Sequence, residues 1–342
     1  MRLELWQPGP PGKETRMIRT SLMALLAFGL AGALHMPAAA EDATWPAKPV
    51  HILVPGGAGG VTDIRARWLA ERLAPLLGQS IIVENKPGAG GNVGMEMGAR
   101  SAPDGYTLTI IHQGVMTVNP HLYSRPGYDP LADFTPITYL GIGPLLLAVH
   151  PDVRATTVAE LVQLAKAKPG LLNFGSPGIG TPPHLAGELF KRAAAIDTVH
   201  VPYKGGGQAV SDLIAGHISY SIEGLTVQLP QVKAGRLRAL AVTGPHRVAS
   251  LPDVPTMAEA GLVEAEFQGW VGIAVPAATP KTIVARLYRD ISSILATPEA
   301  RAWFGEVGAE ARADPPDVFA AAIRTEHSKW GRFIREAGIK VE

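Results

Sequence analysis

Apolar residues in this chain come in short runs that alternate with helical stretches. "VHILV" (50–54) is a buried-strand candidate, and "TDIRARWLAERLAPLL" (62–77) sets Ile64, Trp68, Leu69, Leu73 and Leu76 along one helical face. "SIIVEN" (80–85) reads as a second strand, "GGNVGMEMGARSA" as a helix of small residues, and "YTLTII" (106–111), after the turn "PDG", as a third strand. A strand–helix–strand rhythm with glycine at the strand ends predicts βαβ units and a mostly parallel sheet.

The rhythm restarts after "LLLAVHPDV". "TVAELVQLAKAKPG" (157–170) predicts a helix opened by a capping box, Thr157 with Glu160, and stopped by Pro-Gly. Strand "LNFGS", helix "HLAGELFKRAA", strand "TVHVPY", helix "GQAVSDLIAG" and strands "ISYSIEG" and "LRALAVTG" follow. The tail supplies one more strand, "WVGIAVP", and three helices. A tail of that kind completes a first lobe, so we expect lobe 1 to be 45–146 plus 269–342 and lobe 2 to be 147–268.

Composition agrees with two domains: 342 residues, 46% of them hydrophobic, exceed what one compact core absorbs. The formal net charge of +1 gives no basic stripe, which argues against a nucleic-acid partner. With no cysteine, disulfides, thiolate metal sites and cysteine catalysis are excluded. Residues 1–40 read as a leader rather than as fold. Arg16 and Arg19 precede the uncharged run "SLMALLAFGLAGAL" (21–34), and "PAAAED" offers cleavage after Ala40. The run is shorter than the roughly 20 residues a membrane span needs. A signal peptide is therefore expected, with Met17 a candidate for the true start, and the mature protein is expected in the periplasm.

Three glycine-rich loops each end at a predicted helix: 54–62, 86–94 and 175–181. Glycine lets a ligand approach the backbone closely, and the first amides of the following helix are unpaired at the positive end of its dipole. Such loops bind anions without needing Lys or Arg. Phosphate fits poorly, because "GGAGGVT" has no Lys after its glycines as a P-loop requires. A carboxylate fits amide donors equally well. Thr62 is a candidate helix cap whose hydroxyl could also meet the ligand.

Other chemistries find less support. The ten histidines show no H-E-x-x-H and no helical pair, so neither metal nor cofactor is expected. Ser176 lies in a glycine-rich loop, but Phe174 stands where the G-x-S-x-G elbow needs glycine. An exported hydrolase acting on a small ester or amide stays the alternative from another class. "VPYKGGGQAV" (201–210) brings Tyr203, Lys204 and three glycines to a strand end. Glu223 ends an apolar strand where it could accept from a ligand amine, a hydroxyl or water, and Trp270 could wall a cleft or pack inside lobe 1.

"WPAKPVHILVP", "VENKPGAGGNVG", "PDGYTL", "NPHLY", "HLAGELFK", "VHVPYKGG", "KAGRLRALAVTG", "LPDVPTMAEAG" and "KWG" stand in the order seen in Bug-type solute receptors. The chain from Trp45 onward resembles these extracytoplasmic receptors of tripartite tricarboxylate transporters. The resemblance implies a two-lobed type II periplasmic binding protein fold of mostly parallel α/β sheets with two crossovers. It implies a non-catalytic receptor, a monomer, holding a small carboxylate in its cleft through backbone amides and ordered water. The permease subunits of such a transporter are then its partner, or a sensor kinase reading the same carboxylate. Carried onto this chain, the first binding loop is 55–63 and the facing one 175–184. The expected ligand residues are Pro55, Gly57, Gly59, Thr62, Asp63, Gln113, Ser176, Gly178, Thr181, His184, Tyr203, Glu223 and Trp270, with Asp63 a dipole partner or water holder.

The departures from the family pattern bear on the ligand. Gly56, Gly57 and Ala58 stand where relatives carry Phe or Pro before the glycines. The facing loop, "SPGIGTPPH", is richer in Pro and Ile than usual, and Glu223 begins the "EGLTVQLP" that replaces the common D-x-L-P. A wider mouth and a drier, stiffer far wall lead us to expect a ligand with an apolar or aromatic body rather than citrate.

Overall fold

Strand β1 (Val50–Val54) is buried except for a half-buried His51, as its unbroken apolar run requires of a strand covered on both faces. The computed structural model describes residues 45–337 and, ahead of them, Gln7. The expected signal peptide, its cleavage point and the alternative start at Met17 lie outside the described residues. Helix α1 (Val61–Leu77) follows β1 and leads to β2 (Ile81–Asn85). Helix α2 (Asn92–Ala99) then leads to β3 (Thr107–His112), and β1 pairs in parallel with both β2 and β3. Trp68, Leu69 and Leu73 of α1 are buried as the periodicity predicts, but Leu76 is 47% exposed. The helix turns by four residues from Leu73 to Leu77, which takes the inward place instead.

After a π-helical turn over 114–118 and the short α3 (Asn119–Leu122), the chain enters β4 (Phe134–Val149), a strand of 16 residues. Only its apolar end, "LLLAV", stands out as a run in the sequence. Beyond it come α4 (Val158–Ala167), β5 (Asn173–Ser176), α5 (Pro182–Ala194), β6 (Val199–Pro202), α6 (Gly206–Ile214) and β7 (Tyr220–Gly224). β5 pairs in parallel with both β6 and β7. Thr157 caps α4 by accepting from the Glu160 amide at 3.2 Å, while the Glu160 carboxylate reaches back to Thr156 rather than to Thr157. A helix the periodicity did not predict, α7 (Leu225–Lys233), carries Pro230 inside it and precedes β8 (Arg238–Val242).

β9 (Gln268–Pro276) brings the chain back. It lies antiparallel to β3 on one side and to β4 on the other, from Phe134–Pro276 to Pro144–Gln268. Past Pro144, β4 continues between β7 and β8. The strands run in the order β2, β1, β3, β9, β4, β7, β5, β6, with parallel trios at the two ends and antiparallel crossing strands between them. Helices α8 (Lys281–Leu295), α9 (Pro298–Glu306) and α10 (Pro316–Ala337) close the chain.

Separate apolar clusters fill the two sides of the crossing. Met95, Ile111, Phe134, Tyr139 and Trp270 meet Phe319 and Ile323 of α10, with Trp270 edge-on to Tyr139 at 5.6 Å and to Phe319 at 5.4 Å. Such aromatic pairs contribute about 0.5–1.5 kcal/mol each beyond their buried area. On the other side, Phe174, Phe190 and Tyr220 pack with Leu147, Val149 and Leu185. The described residues from Pro46 onward form one compact unit.

Candidate functional site

The glycine loop after β1 meets the loop before α6, backbone to backbone. The Gly57 amide donates to the Lys204 carbonyl at 3.1 Å. A Cβ on Gly57 would lie 2.8 Å from that oxygen, and one on Gly205 would lie 2.8 Å from the Gly57 Cα, so neither position has room for a side chain. The glycines here serve close approach rather than an unusual φ. A second contact joins Tyr123 to the facing loop, its hydroxyl donating to the Ile179 carbonyl at 3.2 Å. A third packs Gly180, at φ +83, against Asn119 Oδ1 where a side chain would otherwise stand.

Beside this seam opens a cleft of about 800 Å³ including its mouth. Two helices begin on it. α1 starts after Gly60, which has no side-chain cap, and Val61 and Thr62 line the cleft in its first turn. Thr62 therefore sits inside the helix rather than capping it. α6 starts after Gly205, and Gly205 and Gly206 line the cleft. The opening amides of both helices have no helical carbonyl to bond. α5 differs, because its first two residues are Pro182 and Pro183, which carry no N–H. Those prolines, with Pro177, Leu145 and Trp270, give the cleft its apolar wall.

The expected ligand residues divide into two groups. Pro55, Gly57, Thr62, Thr181, Glu223 and Trp270 line the cleft together. The rest do not line it and are tied to the protein itself. The Gly59 amide donates to the Asp63 carboxylate at 2.9 Å, and Arg67 Nε donates to it at 3.0 Å. Burial pushes Asp63 upward, but the bonds from Arg67, Gly59 and Asn85 outweigh it and hold the carboxyl below its ordinary range. Ser176 is fully buried, its Oγ 2.7 Å from His200 Nε2 and 3.2 Å from the Gly178 carbonyl. Thr181 donates to that same carbonyl at 2.7 Å, and His184 Nδ1 accepts from the Gly180 amide at 3.2 Å. Burial holds His184 and His200 neutral, down to about 4 and about 3. The Ser176–His200 pair thus braces the facing loop from inside, away from the cleft. Tyr203 donates to Asp212 at 2.7 Å, and Gln113 donates to Glu326 at 3.2 Å. Trp270 Nε1 donates to the same Glu326 oxygen at 2.9 Å, so its ring both packs in the core and walls the cleft.

Two residues that sequence reasoning passed over also line the cleft. Arg65, 6% exposed, donates to the Gly141 carbonyl at 3.1 Å and lies over the Phe304 ring, while its Nε has no partner. Burial lowers it to about 10, so it is still a cation at neutral pH. His112, 5% exposed, is held neutral at about 4 by burial, and its Nδ1 has no partner. The signal for Arg65 was available: it stands four residues after Val61, on the face of α1 that meets the cleft. Glu223, 3% exposed, accepts from the Gly224 amide at 2.8 Å, and burial pushes it up to about 7. Among the described residues no group of three or more metal-ligating side chains is present, and no helix is long and apolar enough to cross a membrane.

Comparison with known proteins places the chain in a family. Residues 65–339 match the tripartite tricarboxylate transporter family receptor. Protein BugT of Bordetella pertussis is 34% identical over 328 residues, covering 95% of this chain and all of that protein. A Rhodopseudomonas palustris protein, Rpa4515, solved with adipate, superposes with a TM-score of 0.84 at 34% identity, covering 87% of this chain and all of its own. MatC from the same organism, solved with bound malate, gives 0.80 at 31% identity, covering 84% of this chain and 99% of its own. With its two parallel trios crossed by β4 and β9 around a glycine-lined cleft, the chain belongs to the TctC/Bug family of tripartite tricarboxylate transporter receptors, periplasmic solute-binding proteins rather than enzymes.

Proposed function

We propose that this receptor captures a small carboxylate in the cleft and presents it to the membrane subunits of a tripartite transporter. The observation that carries the proposal is the pair of helix openings on the cleft, α1 at Val61 and α6 at Gly206, each preceded by glycine. Their amides and dipoles favour an anion. Arg65 adds a cation, and in the protein itself no carboxylate pairs with it among the described residues. The relatives solved with adipate and malate support the same class of ligand.

The two parallel trios act as lobes, 45–146 with 269–342 and 147–268, that close over the ligand about the crossing strands. Pro177, Pro182, Pro183, Leu145 and Trp270 favour a ligand with an apolar body over citrate. Residues 1–40 direct export and are removed. The receptor works as a monomer.

A thermal-shift screen of mono-, di- and tricarboxylates on residues 41–342 tests the reading. Saturable stabilisation with the ligand returned unchanged is expected. No stabilisation by any acid overturns it. In calorimetry, tight citrate binding with no response to aromatic or aliphatic acids overturns the choice of ligand. N-terminal sequencing of the exported protein should begin at Glu41; a retained leader overturns cleavage.

A further inference from the structure

The cleft contains buried polar atoms that the protein leaves without partners. Glu223 Oε1 accepts from the Gly224 amide, but Oε2 has none, although the side chain is almost fully buried. Arg65 Nε is in the same condition. The two do not serve one another. Val61, one turn before Arg65 on the same face of α1, packs against Gly224, the residue after Glu223. Buried polar groups are ordinarily paired, so an orphan in the wall of a cleft is a place where a ligand can supply the partner.

The surroundings of Oε2 say what that partner is. A Cβ on Gly206 would lie 2.8 Å from Oε2 and 3.6 Å from Pro177 Cγ, so the glycine keeps a small space open against this oxygen. A second carboxylate placed there would meet a like charge, whereas a hydrogen-bond donor would meet a bare acceptor. Arg65 and the opening amides of α1, in the same lining, offer an anion its place.

We propose that Glu223 reads a hydroxyl or ammonium substituent on the ligand, whose carboxylate lies on the side of Arg65 and α1. The receptor thus selects substituted acids over the parent acids of the same skeleton. The inference rests on the receptor reading above. Burial has pushed the Glu223 carboxyl up to about 7, the condition of an acid still lacking its donor. A site built to bond a ligand OH or NH rejects the analogue without it, because its own buried group is left unpaired.

Calorimetry with two matched sets tests this in mildly alkaline buffer: glutarate, 2-hydroxyglutarate and glutamate, then 3-phenylpropionate, 3-phenyllactate and phenylalanine. In the set that binds, a hydroxyl or ammonium member should bind about tenfold or more tighter than its parent, the range of a hydrogen bond to a charged group. Glu223→Leu should abolish that gap, and Glu223→Gln should keep part of it for the hydroxy acid alone. The wild-type comparison decides the matter even if a variant fails to fold. Parent acids binding as tightly as their derivatives overturn the inference and leave the receptor reading standing. Silence to all six acids also overturns it, while the receptor reading then stands or falls on the wider carboxylate screen.

Discussion

At the scale of single residues, burial sets the protonation of the groups in and behind the cleft. His112, His184 and His200 are held neutral, each with its proton affinity lowered by desolvation. The folded values, about 4, about 4 and about 3, lie below the unfolded value of about 6.5, so the unfolded chain binds more protons in that window. Stability is therefore full above the unfolded value and falls as pH drops toward the folded ones. Glu223 works in the opposite sense, because its raised carboxyl gains from acid between about 7 and its unfolded range. Three groups against one give a net loss. Denaturant midpoints measured across this range should fall with acid, and a His184→Gln/His200→Gln double variant should show a shallower fall. Gly180 is a second residue-scale constraint. At φ +83 and against Asn119, Gly180→Ala should cost about 1–3 kcal/mol in chemical denaturation.

At the scale of elements, the openings of helices decide what the cleft can hold. α1 and α6 bring amides and no side-chain cap, whereas α5 brings Pro182 and Pro183. Proline at the first two positions costs the helix little, since those N–H groups have no partner inside it. It costs the cleft a donor. Pro183→Ala should leave the melting temperature nearly unchanged and tighten carboxylate binding by about 1 kcal/mol, the worth of one amide bond, as read by calorimetry. Elements with a clear period were legible in the sequence: β1, α1, β2, β3, α4 and α5 follow their apolar spacing. β4 was not, because a central strand buried on both faces, with prolines at 136 and 144, shows no alternation. α7 was hidden by Pro230. The glycine loops were legible as anion sites. Which amides are already spent inside the protein, such as Gly59 on Asp63 and Gly57 on Lys204, depends on contacts distant in sequence.

At the scale of the whole molecule, the seam between Gly57 and Lys204, with Tyr123 on Ile179, holds the two sides of the cleft together. On the proposed two-lobe reading, a ligand that bridges the sides adds to this seam and shifts the population toward a closed form. Gly57→Ala would place a methyl 2.8 Å from the Lys204 carbonyl and keep the sides apart. Carboxylate affinity should fall by about tenfold or more, since the closed, binding-competent fraction shrinks. Small-angle scattering in the presence of ligand should show a larger radius than wild type. Unchanged affinity and radius would mean that closure does not depend on this contact.

The two sides are joined by paired strands rather than by loose chain. β4 and β9 stay hydrogen-bonded as far as Pro144 and Gln268, and β4 then continues directly into the second set of strands. A paired joint of this kind cannot swivel at a point: any bend must strain its hydrogen bonds along the whole ladder, as in a leaf spring. Deuterium exchange should find the β4–β9 ladder around Ile142 among the slowest amides in the protein, with or without ligand. Any opening of the cleft to the surrounding fluid must then strain that ladder as well as break the contacts at the mouth.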